Sequence, residues 1–226
     1  MKNFNLVLKK AKKNNLESQK TLGFFYYKKQ DYKNALFWWK KALLLGDTAQ
    51  NFNIGNCYHE GWGVKRNFKK ALKYFLNCTK NKKNRFYADA CFNLGSMYSD
   101  GEGTKKNIPK AIKFYNEGAK LNHTMSISML GLMLDPKAGI IDKKYTNAEE
   151  SFKFHLTNAK KGFALSQIHL AEHYYEGNGV KRNLQQAKKY FNLALTNKNK
   201  KQHGLSREQF NMLKNNMPKL YRKNKG

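Results

Sequence analysis

The sequence predicts an all-α solenoid, in which helix pairs stack along the chain, and three observations carry this prediction. Residues 61–71 return in closely similar form as residues 101–111 and again as residues 177–187. A small residue that follows Leu or Ile recurs with Tyr or Leu three positions later, which is the spacing of one helix face. The two kinds of landmark keep a period of 36 residues. Such repeats form a continuous surface, so they favour binding over catalysis.

Composition is compatible with a packed core and with a cytoplasmic protein. Of the 226 residues 40% are hydrophobic and 14% aromatic, which is ample for a globular interior. No run approaches the roughly 18 apolar residues of a membrane span, and the first apolar run is too short for a secretory signal. Secretion as a bacterial factor and organellar import remain alternatives. Cys57, Cys78 and Cys91 fit no disulfide or metal spacing, so we expect small buried hydrophobes.

Each repeat is predicted to hold two helices. A short helix over residues 2–14 precedes them. The first helix of a repeat, the A helix, carries the small residue, whose missing or short side chain lets a neighbouring helix approach. The second, the B helix, carries Ala or Ser followed by two aromatic or similar rings. The A landmarks are Gly23, Gly55, Gly95, Gly131 and Ala171, and the B landmarks are Ala35, Ala71, Ala111, Ser151 and Ala187.

The landmark spacing divides one repeat domain, residues 1–226, into successive segments. An N-terminal helix occupies residues 1–15. A capping helix with a basic tail occupies residues 199–226, where Ser206 and Gln209 form a capping box before an apolar face. Spacings that deviate from the period do so by about one helical turn, which preserves the buried face. The repeats themselves are 16–47, 48–87, 88–123, 124–163 and 164–198.

The pattern Leu-Gly-x-x-Tyr-x-x-Gly-x-Gly-Val, followed by Lys-Ala-x-x and two aromatic residues, resembles the Sel1-like repeats, relatives of tetratricopeptide repeats. The resemblance covers residues 16–198. Repeat 16–47 lacks the Gly-x-Gly loop and resembles a tetratricopeptide repeat more, while repeat 124–163 is divergent. Asn67, Asn107 and Asn183 stand where the family usually has Asp, and Asn caps a helix equally well.

The resemblance implies a right-handed α-solenoid of stacked antiparallel helix pairs. Its A helices would line a concave groove, and its B helices and linkers would form the back and edges. The net charge is +29, yet the A helices of the last four repeats hold six acidic residues and no Lys or Arg. The groove is therefore expected to be neutral to acidic and the back basic.

The basic back has two interpretations. Lys far outnumbers Arg, which is typical of a solvated face in a protein from an A/T-rich genome. Alternatively, one cation pair per repeat could bind the phosphates of RNA or an anionic lipid surface. The candidate anion-binding residues are Lys65, Arg66, Lys105, Lys106, Lys143, Lys144, Lys181 and Arg182.

The groove is the main candidate site, and we expect it to bind a peptide or helix of a protein partner. Positions −3, +1 and +4 from each A landmark would face it, as in tetratricopeptide repeats. Aromatic and amide side chains on rigid helices provide anchors and backbone hydrogen bonds. Some of them, above all Phe52, Phe92 and Ile168, could instead pack between helices. The candidates are Phe24, Tyr27, Phe52, Asn56, His59, Phe92, Ser96, Ser99, Leu132, Ile168, Glu172 and Tyr175.

No motif predicts catalysis, a cofactor or a metal site. His169, Glu172 and His173 match the His-x-x-Glu-His pattern of some zinc proteases, but the repeat landmarks overlie them and no third ligand is evident. The Gly-x-Gly loop joins two helices, so it is not a nucleotide-binding loop. Its glycines are expected to have positive φ or to allow close approach in a tight turn. We therefore predict a non-enzymatic adaptor with a protein or peptide partner.

Overall fold

The computed structural model describes residues 3–196, and over that range it holds eleven α-helices, one short 3-10 helix and no strand. Consecutive helices contact one another along each half of the chain. The all-α repeat architecture that the periodicity predicts is confirmed. The α-helices are α1 Phe4–Lys12, α2 Leu16–Lys28, α3 Tyr32–Leu44, α4 Gln50–Glu60, α5 Phe68–Cys78, α6 Tyr87–Asp100, α7 Ile108–Lys120, α8 Thr124–Leu134, α9 Ala148–Lys160, α10 Ala164–Glu176 and α11 Leu184–Thr196.

The helices follow the predicted alternation. The N-terminal helix α1 is followed by five A helices, α2, α4, α6, α8 and α10, and five B helices, α3, α5, α7, α9 and α11. Every landmark lies in the helix assigned to it. The predicted capping helix with Ser206 and Gln209, and the basic tail, lie outside the described residues.

The chain divides into two compact units between Leu121 and Asn122. The first unit contains α1–α7 and the second contains α8–α11. In the first unit, α1 packs its buried Ala11 near Leu22 and Trp38 of repeat 16–47. The assignment of one repeat domain to the whole chain, with its segment boundaries, stays a prediction.

Each core forms where the small residue of an A helix meets a ring of its B helix. A methyl group built on Gly95 would lie 2.6 Å from Cε1 of Tyr115, a side chain that is itself buried. That distance is far below van der Waals contact, so glycine is required for this helix pair to close. The Leu or Ile before each landmark is fully buried in all five repeats. The steric role predicted for the A landmarks is thereby confirmed.

Asparagine side chains begin the B helices. The backbone N–H of Asn67 donates to the carbonyl of Tyr58 at 2.8 Å, and its Oδ1 accepts from the N–H of Lys70 at 2.9 Å. Asn107 and Asn183 repeat this geometry, as predicted. Asn147 does so as well, although its repeat lacks the Gly-x-Gly loop. One cap therefore sets the start of four B helices.

Cys57, Cys78 and Cys91 are unpaired and fully buried, as expected of small hydrophobes. Burial raises the pKa of each thiol, to about 12 for Cys57 and Cys78 and about 11 for Cys91. Within residues 3–196, no helix has both the length and the apolar character needed to cross a membrane.

Candidate binding groove

The Gly-x-Gly loops fix each repeat against the one before it. The first glycine ends the A helix in the left-handed region, with φ of +81° at Gly61. The second has φ of +66° at Gly63, and a methyl group there would lie 2.5 Å from the carbonyl carbon of Tyr32, in the first turn of α3. Gly103 and Gly179 make the same approach to α5 and α9. Both expected roles of these glycines, positive φ and close approach, are confirmed.

The residue between the two glycines contacts the preceding repeat. In all three loops the contacted residue stands four positions after the A landmark, in the A helix or at its C-terminal end. The ring centroids of Trp62 and Tyr27 lie 5.7 Å apart. Oε2 of Glu102 lies 2.8 Å from Nε2 of His59. The side-chain amide of Asn178 donates to Oδ1 of Asp135 at 3.0 Å. The variable loop residue therefore packs on the position that we expect to face the groove, in three chemically different pairs.

A cavity of about 610 Å³ opens on the A helices of the first two repeats. Four predicted groove residues, Phe24, Tyr27, Phe52 and Asn56, line it together. The cavity is closed further by residues that the sequence analysis missed. These are Glu17, Lys20, Thr21, Trp39, Gln50, Asn53, Trp62, Arg85 and Phe86.

Six of the thirteen residues that line the cavity are aromatic. Phe52 stacks on Phe86, with ring centroids 4.7 Å apart and an interplanar angle of 19°. Trp62 stacks on Tyr32 at 5.2 Å. Phe24 has 56% of its surface exposed, a larger fraction than any other Phe among the described residues. Nζ of Lys28 lies over its ring. Stacked partners hold several of these rings in place, so the wall is formed before a ligand arrives.

Amide side chains supply the polar part of this surface. The Asn53 amide donates to Oε1 of Gln50 at 2.8 Å, and the Asn93 amide donates to Oδ1 of Asn56 at 3.1 Å. These bonds leave further donor and acceptor positions on the same groups, because each amide offers two donors and a two-lone-pair oxygen. The surface can therefore bind apolar side chains and hydrogen-bond to a peptide backbone.

An acidic patch lies one helical turn beyond the cavity. His59 contacts Oε1 of Glu60 at 2.6 Å and Oε2 of Glu102 at 2.8 Å. The Ser96 hydroxyl donates to Oδ2 of Asp100 at 3.2 Å. No Lys or Arg within the described range forms an ion pair with these three carboxylates. We call Glu60, Asp100 and Glu102 the groove carboxylates.

Six further predicted groove residues share an intermediate exposure. In the first unit Phe92, Ser96 and Ser99 are half-buried. In the second unit Leu132, Glu172 and Tyr175 are half-buried as well.

Ile168 requires a correction, because it is only 3% exposed and belongs to the core beside Ala171 and Phe191. Position −3 meets the B-helix ring in other repeats too: Phe52 contacts Phe75 and Phe92 contacts Tyr115. The phenylalanine rings reach beyond that contact. The shorter Ile side chain is covered entirely, so Ile168 is excluded from the groove surface.

The eight candidate anion-binding side chains, Lys65 to Arg182, are all exposed. Both arginines also have contacts within the chain. Arg66 lies over the ring of Phe68, and Nε of Arg182 donates to the carbonyl of Tyr175 at 3.0 Å. Binding of nucleic acid by this set stays a prediction, and a steep loss of affinity for RNA between low and physiological salt would be its signature.

The His-x-x-Glu-His segment of α10 lies on a packed face. His173 is buried, with Nδ1 2.6 Å from the carbonyl oxygen of Asn178 and Nε2 3.2 Å from Oγ of Ser151. Nδ1 of His169 contacts Glu172 at 3.1 Å. In the part of the chain that the structure covers, no cluster of three or more His, Cys, Asp or Glu side chains is arranged to hold a metal ion.

The family model for the Sel1 repeat matches residues 21–47, 51–76, 88–123 and 164–199. These four segments make up more than half of the chain. The chain belongs to the Sel1 repeat family. The match includes residues 21–47, in which a tight turn with Gln30 at φ of +59° replaces the Gly-x-Gly loop. Proteins of this family are generally non-catalytic scaffolds for protein–protein interaction.

Solved structures support the same assignment. The c5321 protein, a protective antigen of uropathogenic Escherichia coli with an SLR fold, is 27% identical with a TM-score of 0.75, over 84% of this chain and 40% of that protein. This chain thus spans less than half the length of that relative. A Sel1 repeat protein from Oxalobacter formigenes is 26% identical with a TM-score of 0.67, over 82% of this chain and 74% of that one. The predicted solenoid class is confirmed. Among curated proteins there is no significant match.

Proposed function

We propose that this Sel1 repeat protein is a non-enzymatic adaptor whose A helices bind a peptide or helix of a protein partner. The observation that carries the proposal is the cavity of about 610 Å³ on repeats 16–47 and 48–87. It is open, and rings and amides from the two A helices α2 and α4 and from neighbouring loops converge on it. Pockets of this size and lining are typical of ligand sites in proteins.

The lining suits a peptide chemically. Affinity at protein interfaces comes mostly from a few large side chains in desolvated pockets, and here Phe24, Phe52 and Trp62 offer the apolar surface for one such anchor. Asn53 and Asn56 stand beside them and can hydrogen-bond to backbone amides of a bound segment. Because helices carry these groups and stacking holds the rings, little order has to be gained on binding.

Selection from a random peptide display library tests this proposal. Peptides selected on the full chain should lose affinity by about tenfold or more for Phe24→Ala, since removal of one anchor contact costs at least about 1.4 kcal/mol. Phe37→Ala is the matched control. Phe37 is 49% exposed on α3 with Lys41 over its ring, just as Lys28 lies over Phe24.

Fluorescence polarisation would give the affinities, and far-ultraviolet circular dichroism would confirm that both variants keep their helicity. Equal binding by the wild type, Phe24→Ala, Asn56→Ala and Phe37→Ala proteins would reject the groove as the binding surface. A second groove variant, Asn56→Ala, keeps the test decisive if one anchor alone contributes little.

A further inference from the structure

We propose that the groove of the first unit selects a peptide that combines an aromatic anchor with a nearby lysine or arginine. This inference rests on the proposed function, because it specifies the partner of the same surface. Two features on adjoining parts of that surface carry it: the aromatic cavity and the groove carboxylates.

The cavity accommodates an aromatic side chain better than a small one. Its walls are rings with fixed neighbours, Phe52 on Phe86 and Trp62 on Tyr32. A ring inserted between such walls gains offset or edge-to-face contacts beyond simple burial. Phe24 is left open at the side of the cavity, so an incoming ring can cover it.

Within residues 3–196, the groove carboxylates form no ion pair with Lys or Arg, unlike five other carboxylates of this chain. Lys side chains form ion pairs with those five: Glu17, Glu117, Asp142, Glu149 and Glu176. Glu60 and Glu102 instead contact the imidazole of His59. Asp100 accepts a hydrogen bond from Ser96 and lies close enough to Tyr115 to add to the effect of burial in raising the pKa of that phenol. In a chain with 44 Lys and Arg against 15 Asp and Glu, this patch is therefore a site of negative charge open to a partner.

The distance between the two features suits one short segment. Asn56 lines the cavity, and Glu60 follows it on α4 by four residues, which is a rise of about 6 Å along the helix. An extended peptide spans that distance in about two residues. A single peptide can therefore place a ring in the cavity and a cation at Glu60 and Glu102.

Arg85, which lines the cavity, carries a positive charge, opposite in sign to the groove carboxylates. Its guanidinium lies 4.7 Å from the ring of Phe86, and Lys20 is neutralised by Glu17 at 2.8 Å. A peptide with an acidic residue would gain only from Arg85, whereas a basic one meets three carboxylates. Acidic analogues are therefore the required comparison.

The test uses labelled synthetic peptides on the full chain. A tryptophan is fixed at the centre of a Gly/Ser background, and one arginine is placed in turn at each of the four positions on either side. Matched sets carry glutamate for arginine, or alanine for tryptophan. We expect the best arginine peptide to bind about tenfold more tightly than its glutamate analogue at physiological salt, and the alanine set to bind weakly.

Two variants locate the cation site. Glu102→Gln should abolish most of the preference for arginine, and Asp100→Asn should reduce it without disturbing the contacts of His59. Glu149→Gln is the control, because that exposed carboxylate pairs with Lys153 on a B helix and is not one of the predicted groove positions. It should leave the preference unchanged.

The outcomes separate this inference from the function on which it rests. If Phe24→Ala weakens binding but arginine and glutamate peptides bind alike, the charge selection is wrong and the groove assignment stands. If peptides bind and none of Phe24→Ala, Asn56→Ala and Glu102→Gln matters, both are wrong. If none of the peptides binds at millimolar concentration, the aromatic and basic partner class is rejected, while the display selection still decides the groove assignment.

Discussion

At the scale of single residues, His155 is a titratable side chain in a buried position. It occupies the B-helix position held by Trp39, Phe75, Tyr115 and Phe191 in the other repeats, and it is 2% exposed. Its ring lies 4.7 Å from that of His169 and 5.6 Å from that of His173. Neither ring nitrogen has a hydrogen-bond partner of acceptable geometry in the described residues.

Burial, and then repulsion from His169 and His173, lower the pKa of His155 well below its usual value near 6.5, and the Gly131 backbone opposes this shift only slightly. The carboxylate of Glu172 lies 3.1 Å from Nδ1 of His169, and that of Asp135 lies 3.9 Å from Nε2 of His173. They contact those two rings and leave His155 neutral. The folded chain therefore excludes a proton that the unfolded chain accepts.

The free energy of unfolding should consequently fall as the pH drops below about 6.5, by up to about 1.4 kcal/mol per pH unit until the lowered pKa is reached. His155→Phe should remove this part of the pH dependence, since Phe75 and Phe191 occupy the equivalent positions. Urea unfolding of both proteins at pH 7.5 and pH 5.0 measures it. Carboxylates titrate alike in the two proteins, so equal changes in free energy would contradict the prediction.

At the scale of elements, the second glycine of each Gly-x-Gly loop determines how closely one repeat approaches the previous B helix. Gly179 has φ of +69°, and a methyl group on it would overlap the carbonyl of Ala148 in α9. Gly139 in the same unit has φ of +62° with open space around it. The two positions share their backbone strain and differ in packing.

Gly139→Ala should therefore cost only about 1 kcal/mol of stability, the cost of a left-handed alanine. Gly179→Ala should cost at least about 2 kcal/mol more, because the loop must move away from α9. Denaturant unfolding followed by circular dichroism compares the two variants. Similar losses of stability at both positions would show that backbone conformation alone, and not close approach to α9, requires glycine at position 179.

The helical period of the sequence was sufficient to predict the repeat helices. The landmark spacing predicted all ten repeat helices, and the sequence predicted three of the four asparagine caps, at Asn67, Asn107 and Asn183. Periodicity could not reveal contacts made between repeats. Trp62 and Glu102 stand in loops, and Arg85 and Phe86 follow an inserted stretch, so only stacking brings them to the A helices. The one available signal was that the middle residue varies while its glycines recur.

At the scale of the whole molecule, charge is the dominant imbalance. The net charge of +29 places many Lys side chains near one another, and the ion pairs recorded on the surface are exposed and contribute little. Excess charge of one sign destabilises a compact state through repulsion between like charges. Screening should therefore stabilise this protein.

Raising NaCl from about 20 mM to about 300 mM shortens the Debye length from roughly 20 Å to roughly 6 Å, and the Tm should rise by several degrees. Differential scanning calorimetry in NaCl and in KCl measures the change, and the two salts should act alike if screening is the cause. A Tm that falls with added salt would mean that attractive ion pairs outweigh repulsion.

The pairing of the middle loop residue with position +4 of the preceding repeat limits how this chain can be recombined. Each of the three pairs is divided between two repeats, so exchange of a single repeat separates partners, and exchange of repeat 48–87 does so on both of its sides. Placing α8 and the Asp135 that follows it ahead of the loop that carries Glu102 would bring two carboxylates together where Glu102 now contacts His59. Repeats of this chain are thus exchangeable as matched neighbours, and an engineered array must inherit both halves of every junction.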